Sequence, residues 1–154
     1  MIRILLALDS SLETVSTGLA DDYDLDVLEA GRSLHDKVTG NSYDLVLIDG
    51  GHERLPEIKA SDPRVEVITL GCGEMDEVEA VRLGASECIP LPLDTERLRR
   101  SVKEICDMVL ARRETGELEK QLFERYTFAN VVGKNPQMLE IFNFIRRIAP
   151  FYRT

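Results

Sequence analysis

The oxygen-bearing side chains that could do chemistry in this sequence come at the ends of short apolar runs. Asp9, Asp49 and Thr69 each end or follow such a run, and Leu91-Pro92 ends another. Because the carboxyl ends of parallel strands meet at one edge of a sheet, we expect two carboxylates, a hydroxyl and a proline turn to converge there. No nucleophile–base pair and no metal cluster is visible, so the pattern does not predict an independent enzyme.

Two alternating patterns predict the elements that carry these residues. Short runs rich in Val, Ile and Leu, bounded by turn residues, are typical of strands buried on both faces of a parallel sheet. Helix-length segments lie between them, and we expect a capping box at Ser10-x-x-Glu13, a helix end at Gly84 and a helix cap at Asp94. The sequence therefore predicts a doubly wound five-stranded parallel sheet of the α/β class. The predicted strands are 2–8, 25–29, 43–48, 65–70 and 87–91.

The charge of the chain changes near residue 100. The whole sequence has a net charge of −9, but residues 1–100 carry −11 and residues 101–154 carry +2. An acidic surface repels phosphate backbones, so we expect no nucleic acid and no anionic membrane as a partner of the first part. No apolar run approaches the roughly 20 residues that a membrane span needs.

The cysteines and the first residues indicate a cytoplasmic protein. Cys72, Cys88 and Cys106 are odd in number and widely spaced, and the chain has only two histidines, so we expect reduced thiols rather than disulfides or a zinc site. The apolar run at residues 1–8 is too short for a signal peptide.

Four segments resemble the receiver domain of bacterial two-component response regulators: ILLALDS (4–10), YDLVLIDG (43–50), VITLG (67–71) and GASECIPLPLD (84–94). The resemblance covers about residues 1–113 and implies the flavodoxin-like strand order. It also implies phosphoryl transfer onto an Asp, a sensor histidine kinase as a partner, and Mg²⁺, which prefers hard oxygen ligands.

The resemblance assigns a role to three residues. It makes Asp49 the phospho-acceptor, Asp9 with Asp49 the carboxylates that would hold Mg²⁺, and Thr69 the switch hydroxyl. The interval from Asp49 to Thr69 is shorter than the family's and leaves room for about two turns of its third helix.

Three positions depart from the family's pattern. Leu8 stands where a second acidic residue is expected, Cys88 where an aromatic switch residue is expected, and Leu91 where the phosphate-pairing Lys is expected. A hydrogen bond to a charged group contributes on the order of 1.5–3 kcal/mol, whereas a full two-state switch needs about 5.5 kcal/mol. These departures predict a degenerate receiver with weakened Mg²⁺ binding and no normal phosphorylation switch.

Two alternatives stay open at this point. One is a working receiver that accepts a phosphoryl group with poor Mg²⁺ affinity. The other is a small-ligand or protein sensor that uses the same edge of the sheet, made more apolar by Leu8 and Leu91.

An apolar stripe runs along the last predicted helix and continues beyond the receiver. It predicts either a dimer through this helix and the linker or, alternatively, a long helix that packs only on its own sheet. Gly116 costs about 1 kcal/mol in a helix interior, so we expect a joint there. The stripe consists of Leu98, Val102, Ile105, Val109, Leu118 and Leu122.

The segment FANVVGKNPQMLEIFNFIRRIAP (128–150) resembles the opening of the AAA+ ATPase domain of NtrC-like, sigma-54-dependent activators. In that family, the residues matching Val131, Val132 and Gly133 lie against the adenine of ATP. Gly133-Lys134 is not a P-loop, because the earlier Gly and the following Ser or Thr are missing. ATP is therefore expected only in a full-length protein, and Asn135-Pro136 predicts the start of a helix.

Together these resemblances imply a regulatory domain at 1–113, a helical linker at 114–127 and a truncated ATPase start at 128–154. The expected function is to control dimerisation and assembly of the chain's own AAA+ domain. By the same resemblance, the full-length protein would act on sigma-54 RNA polymerase.

Overall fold

The structure, a computed structural model, describes residues 1–9, 11–29, 32–50, 52–71, 74–128, 131–132 and 135–149. The chain divides into two compact units, Met1–Val109 and Leu110–Thr154. No helix among the described residues is long and apolar enough to cross a membrane.

The first unit is built on one sheet. Its strands are β1 (Arg3–Ala7), β2 (Asp24–Val27), β3 (Leu45–Asp49), β4 (Glu66–Leu70) and β5 (Glu87–Ile89). They are all parallel and lie in the order β2-β1-β3-β4-β5. The chain moves outward from β1 in one direction and then from β3 in the other, which is the doubly wound arrangement. The predicted fold is confirmed.

Helices cover both faces of this sheet. They are α1 (Leu12–Leu19), α2 (Leu34–Gly40), α3 (Leu55–Ser61), α4 (Glu74–Arg82) and α5 (Thr95–Tyr126), with a 3₁₀ turn at His52–Arg54 before α3. The seven residues of α3 form about two turns, as the short interval between Asp49 and Thr69 predicts.

Side chains of the central strands alternate between two apolar layers. Along β1, Ile4 and Leu6 pack with α1 and α5, whereas Leu5 and Ala7 pack with α2, α3 and α4. Because helices cover both faces of the sheet, successive residues of these strands are apolar, and the strands appear in the sequence as continuous apolar runs. The alternation continues one residue past β1, so Leu8 also belongs to the layer of α1 and α5.

Two of the three predicted helix signals hold. Asp94 Oδ1 accepts the backbone N–H groups of Glu96 and Arg97 at 3.0 and 3.2 Å, which caps α5. Gly84 ends α4 with φ of +104°. The capping box predicted at Ser10 falls on a residue outside the described ones, and α1 has Ser11 as its N-cap without a side-chain capping bond.

The second unit contains the last part of α5, a small antiparallel pair and one further helix. The pair is formed by β6 (Thr127–Phe128) and β7 (Val131–Val132), and the helix is α6 (Pro136–Ile148). Asn135 caps α6 by accepting the backbone N–H of Gln137 at 3.0 Å, which confirms the predicted helix start. Arg146 Nη2 donates to the carbonyl oxygen of Glu124, in the last turn of α5, at 2.8 Å.

The joint expected at Gly116 is absent, since α5 is one continuous helix from Thr95 to Tyr126. A single glycine costs only about 1 kcal/mol in a helix interior. That penalty is too small to break a helix of 32 residues.

Candidate functional site

Asp49 and Asp9 meet at the carboxyl edge of the sheet. Asp49 is the last residue of β3 and is followed by Gly50, whose φ of +60° turns the chain sharply. Asp9 lies two residues after β1, the neighbouring strand. The backbone N–H of Asp9 donates to Asp49 Oδ2 at 2.7 Å. Asp49 therefore contacts the backbone of Asp9 and ties the loop after β1 to the end of β3.

Thr69 and Cys88 are neighbours across β4 and β5. They are register partners in the parallel pairing, and Thr69 is fully buried. Cys88 is disulfide-bonded, so the expectation of reduced thiols is wrong at this residue. Widely spaced cysteines carry no pairing signal in a sequence, because the fold decides which of them approach each other. Cys72 lies outside the described residues.

Cys106 is free and buried on α5. Burial raises the pKa of its thiol to about 11, and Tyr23 hydrogen-bonds to it. A thiol with this pKa stays protonated near neutral pH and is a poor nucleophile. Cys106 is therefore a core residue rather than a reactive one.

Leu91 lies over the turn that follows β4. Gly71 adopts φ of +86°, and a Cβ placed on it would lie 3.2 Å from Leu91 Cδ1. Leu91 also precedes a cis peptide bond to Pro92 and is 55 % exposed. An aliphatic side chain thus covers the turn where the family's lysine is expected.

Leu8 is buried at the carboxyl edge of the sheet. It is 5 % exposed and belongs to the apolar layer of α1 and α5. A side chain at this position packs in an apolar layer, so a carboxylate here would be largely removed from water.

The donor set at this edge is poor for Mg²⁺. Asp49 and Asp9 are the carboxylates that meet between β1 and β3, and one oxygen of Asp49 already accepts a hydrogen bond. Among the described residues, no group of three His, Cys, Asp or Glu side chains is placed to hold a metal ion. These residues do not supply the set of hard oxygen ligands that Mg²⁺ prefers.

The apolar stripe of α5 divides into two parts. Leu118 and Leu122 are 60 % and 52 % exposed, and the neighbouring Phe123 is exposed as well. The four earlier members are buried in the layer that covers the sheet of this chain, as the alternative interpretation of the stripe expects. These four are Leu98, Val102, Ile105 and Val109.

A polar network of the first unit was missed by sequence reasoning. Asp26 on β2 accepts hydrogen bonds from the Tyr43 hydroxyl at 2.6 Å and from Lys37 Nζ at 3.0 Å. The hydrogen bond from Tyr43 is the main cause that lowers the pKa of Asp26. Burial and this same bond raise the pKa of Tyr43 to about 12. The residue types carry no spacing signal, since they come from β2, α2 and the loop before β3.

The residues expected near adenine lie only partly within the described chain. Val131 and Val132 form β7, paired with β6 in the second unit. Gly133 lies outside the described residues.

Comparisons with known proteins agree with this fold. No protein-family model matches the chain. The transcriptional regulatory protein ZraR of Salmonella typhimurium is 28 % identical over 137 residues, which cover 83 % of this chain and 30 % of ZraR. The chain thus spans about a third of the length of this curated relative.

Two solved structures are similar in fold to this chain. NtrX from Brucella abortus, in a complex with ATP, has a TM-score of 0.67 at 25 % identity, covering 97 % of this chain and 36 % of NtrX. The beryllofluoride-activated NtrC4 receiver domain dimer has a TM-score of 0.63 at 22 % identity and covers 71 % of this chain and 99 % of that one. The sheet order and these structural likenesses show that the first unit has the fold of a response-regulator receiver domain, and the chain is similar in sequence to the transcriptional regulatory protein ZraR.

Proposed function

We propose that this chain is the regulatory part of a sigma-54-dependent transcription activator that works without normal Asp phosphorylation. The observation that carries the proposal is the hydrogen bond from the Asp9 backbone to Asp49 Oδ2. A carboxylate that holds the loop after β1 serves as a structural acceptor, and among the described residues Leu8 and Leu91 stand where groups that would stabilise a phosphoryl group are expected. The buried Leu8 and the aliphatic Leu91 over Gly71 support this assignment.

A titration with beryllofluoride and Mg²⁺, followed by amide NMR shifts, tests the phosphorylation part. Beryllofluoride mimics a phosphoryl group on an Asp, so we expect no saturable shift at Asp49, Gly50 or Thr69. Asp49→Asn is the control that distinguishes binding at this carboxylate from binding elsewhere. Saturable shifts that vanish in Asp49→Asn would contradict the proposal and favour the working receiver that can accept a phosphoryl group.

The proposed output is dimerisation through the exposed part of α5. Leu118, Leu122 and Phe123 are exposed large apolar side chains on one stretch of this helix, and such a patch is typical of a helix that packs on a partner. In this proposal, residues 114–127 are the linker, and the partner is a second copy of the chain. The dimer would control the assembly of the AAA+ domain that begins at 128–154.

Sedimentation velocity tests the dimer. We expect the whole chain to sediment as a dimer and the variant Leu118→Glu/Leu122→Glu as a monomer. The matched control is Glu117→Gln/Glu119→Gln, which changes two exposed residues of the same turns without touching the apolar stripe. A monomeric wild-type chain, or a dimer that survives the leucine substitutions, would remove this part of the proposal.

The remaining partners belong to the full-length protein. ATP, sigma-54 RNA polymerase and a sensor histidine kinase are proposals that follow from the family resemblance, as is a cytoplasmic location. They are supported by the relationship to ZraR, of which this chain covers 30 %.

A further inference from the structure

A second site opens at the carboxyl edge of the sheet, beside the ends of β1 and β2. It is a cavity of about 600 Å³, within the range of roughly 300–1,000 Å³ that is usual for small-ligand sites. The starts of α2 and α3 form part of its wall. Its lining residues include Ala7, Leu8, Leu12, Leu28 and Leu34 together with Asp9, Glu29, Arg32, Arg54 and Glu57.

One part of this lining is apolar. Ala7, Leu8 and Leu34 are buried, and Leu12 and Leu28 pack against the two core layers. The partly exposed Leu12 and Leu28 can bind an aliphatic or aromatic group, because contact removes apolar area from water. The apolar part is extended by Leu8, one of the residues that depart from the receiver pattern.

The other part of the lining carries charges of both signs. Arg32 Nε lies 3.0 Å from Glu29 Oε2, whereas Arg54 has no ion-pair or hydrogen-bond partner among the described residues. Two guanidinium groups face three carboxylates around the cavity. This balance disfavours a simple anion, because the net charge of the lining is negative. It suits a ligand that bears a carboxylate and an ammonium group together.

We propose that this cavity binds an α-amino acid with a large apolar side chain. Arg54 binds the ligand carboxylate, since a guanidinium group can donate two parallel hydrogen bonds to a carboxylate. The acidic side chains pair with the ammonium group of the ligand, and the leucines contact its apolar side chain. Binding at this cavity does not depend on the proposed function of α5 or Asp49, so either proposal can fail without the other.

Isothermal titration calorimetry with phenylalanine tests the site on the whole chain. Three matched compounds separate the contributions: 3-phenylpropanoate lacks the ammonium group, phenethylamine lacks the carboxylate, and glycine lacks the apolar side chain. We expect saturable binding of phenylalanine and at least tenfold weaker binding of each matched compound. No measurable binding of phenylalanine, or equal binding of 3-phenylpropanoate, would overturn the proposal.

Two variants locate the binding. Arg54→Ala is expected to weaken phenylalanine binding by about tenfold or more, because it removes a charged hydrogen bond. Arg100→Ala is the matched control, since Arg100 is exposed on α5 and does not line the cavity. Equal affinities of the two variants would overturn the assignment. If Arg54→Ala does not fold, the amide NMR shifts that phenylalanine causes in the wild-type chain locate the binding instead. Shifts centred on Leu28 and Leu34 support the site, and shifts elsewhere overturn it.

Discussion

The backbone N–H of Asp9 donates a 2.7 Å hydrogen bond to the carboxylate of Asp49. This bond joins the loop after β1 to the end of β3, the two strands between which the order of the sheet reverses. It gives Asp49 a structural role at the position where a receiver would accept a phosphoryl group.

Substitution of Asp49 tests that role. Asp49→Ala removes the acceptor of this exposed hydrogen bond, so we expect a loss of about 0.5–1.5 kcal/mol in the free energy of unfolding. Asp49→Asn keeps an oxygen in place and should cost less than half of that. Urea denaturation measures both. If Asp49→Ala is as stable as the wild-type chain, the hydrogen bond contributes nothing to the fold.

The two leucines that depart from the receiver pattern should respond differently to charge. Leu8→Asp places a carboxylate in an apolar layer and should cost about 3 kcal/mol or more. Leu91→Lys changes a side chain that is 55 % exposed and should stay within about 0.5 kcal/mol. Thermal and urea denaturation measure both free energies of unfolding.

Leu8→Ile is the control for shape, and it should cost less than about 1.5 kcal/mol because it preserves volume. A Leu8→Asp variant as stable as Leu91→Lys would mean that residue 8 is accessible to water at the edge of the sheet.

The bond between Tyr43 and Asp26 predicts a dependence of stability on pH. The pKa of Asp26 is lowered from 3.8, chiefly by this hydrogen bond, so its contribution to stability is present above this ordinary pKa and is lost as the pH falls through the folded-state pKa. Tyr43→Phe should therefore lower the free energy of unfolding by about 1–2 kcal/mol at neutral pH. The difference from the wild-type chain should shrink below about pH 4.

At alkaline pH, the change in stability comes from the titration of Tyr43 itself. Its pKa is raised from 10.0 to about 12 in the folded state, so the wild-type chain loses this contribution between those values while Tyr43→Phe does not. Lys37→Met removes the second donor to Asp26. Its stability difference from the wild-type chain should also shrink at acid pH, but this variant should keep the alkaline loss of stability that comes from Tyr43. Parallel wild-type and Tyr43→Phe curves across the acid range would contradict the assignment.

Two glycines should respond in opposite directions to the same substitution. Gly116 lies inside α5 with no atom within 4 Å of an added Cβ, so Gly116→Ala should stabilise the chain by about 1 kcal/mol. Gly71 has φ of +86°, and an added Cβ would lie 3.2 Å from Leu91 Cδ1. Gly71→Ala should therefore destabilise it by about 1 kcal/mol or more. Thermal midpoints compare the pair, and a loss of stability in Gly116→Ala would mean that this glycine has a local role.

The sheet and its helices are readable from the amino-acid sequence because their signals are local. Continuous apolar runs such as 43–48 appear only where a strand is covered on both faces, and Asp94 and Asn135 cap helices through neighbouring backbone groups. The residues at the carboxyl edge follow from the strands, since parallel strands all end at the same edge. Even the burial of Leu8 has a local signal, because the apolar run at 2–8 includes it.

The contacts made by the edge residues required the tertiary structure. The bond between Asp9 and Asp49 spans 40 positions, the contact of Leu91 with Gly71 joins the ends of two strands, and the disulfide at Cys88 was not expected from the spacing of the cysteines. The apolar stripe of α5 is likewise a single pattern in the sequence, yet Leu98 is buried on the sheet and Leu118 is exposed. A periodic pattern specifies which face of a helix is apolar, but only the surrounding elements decide whether that face is covered.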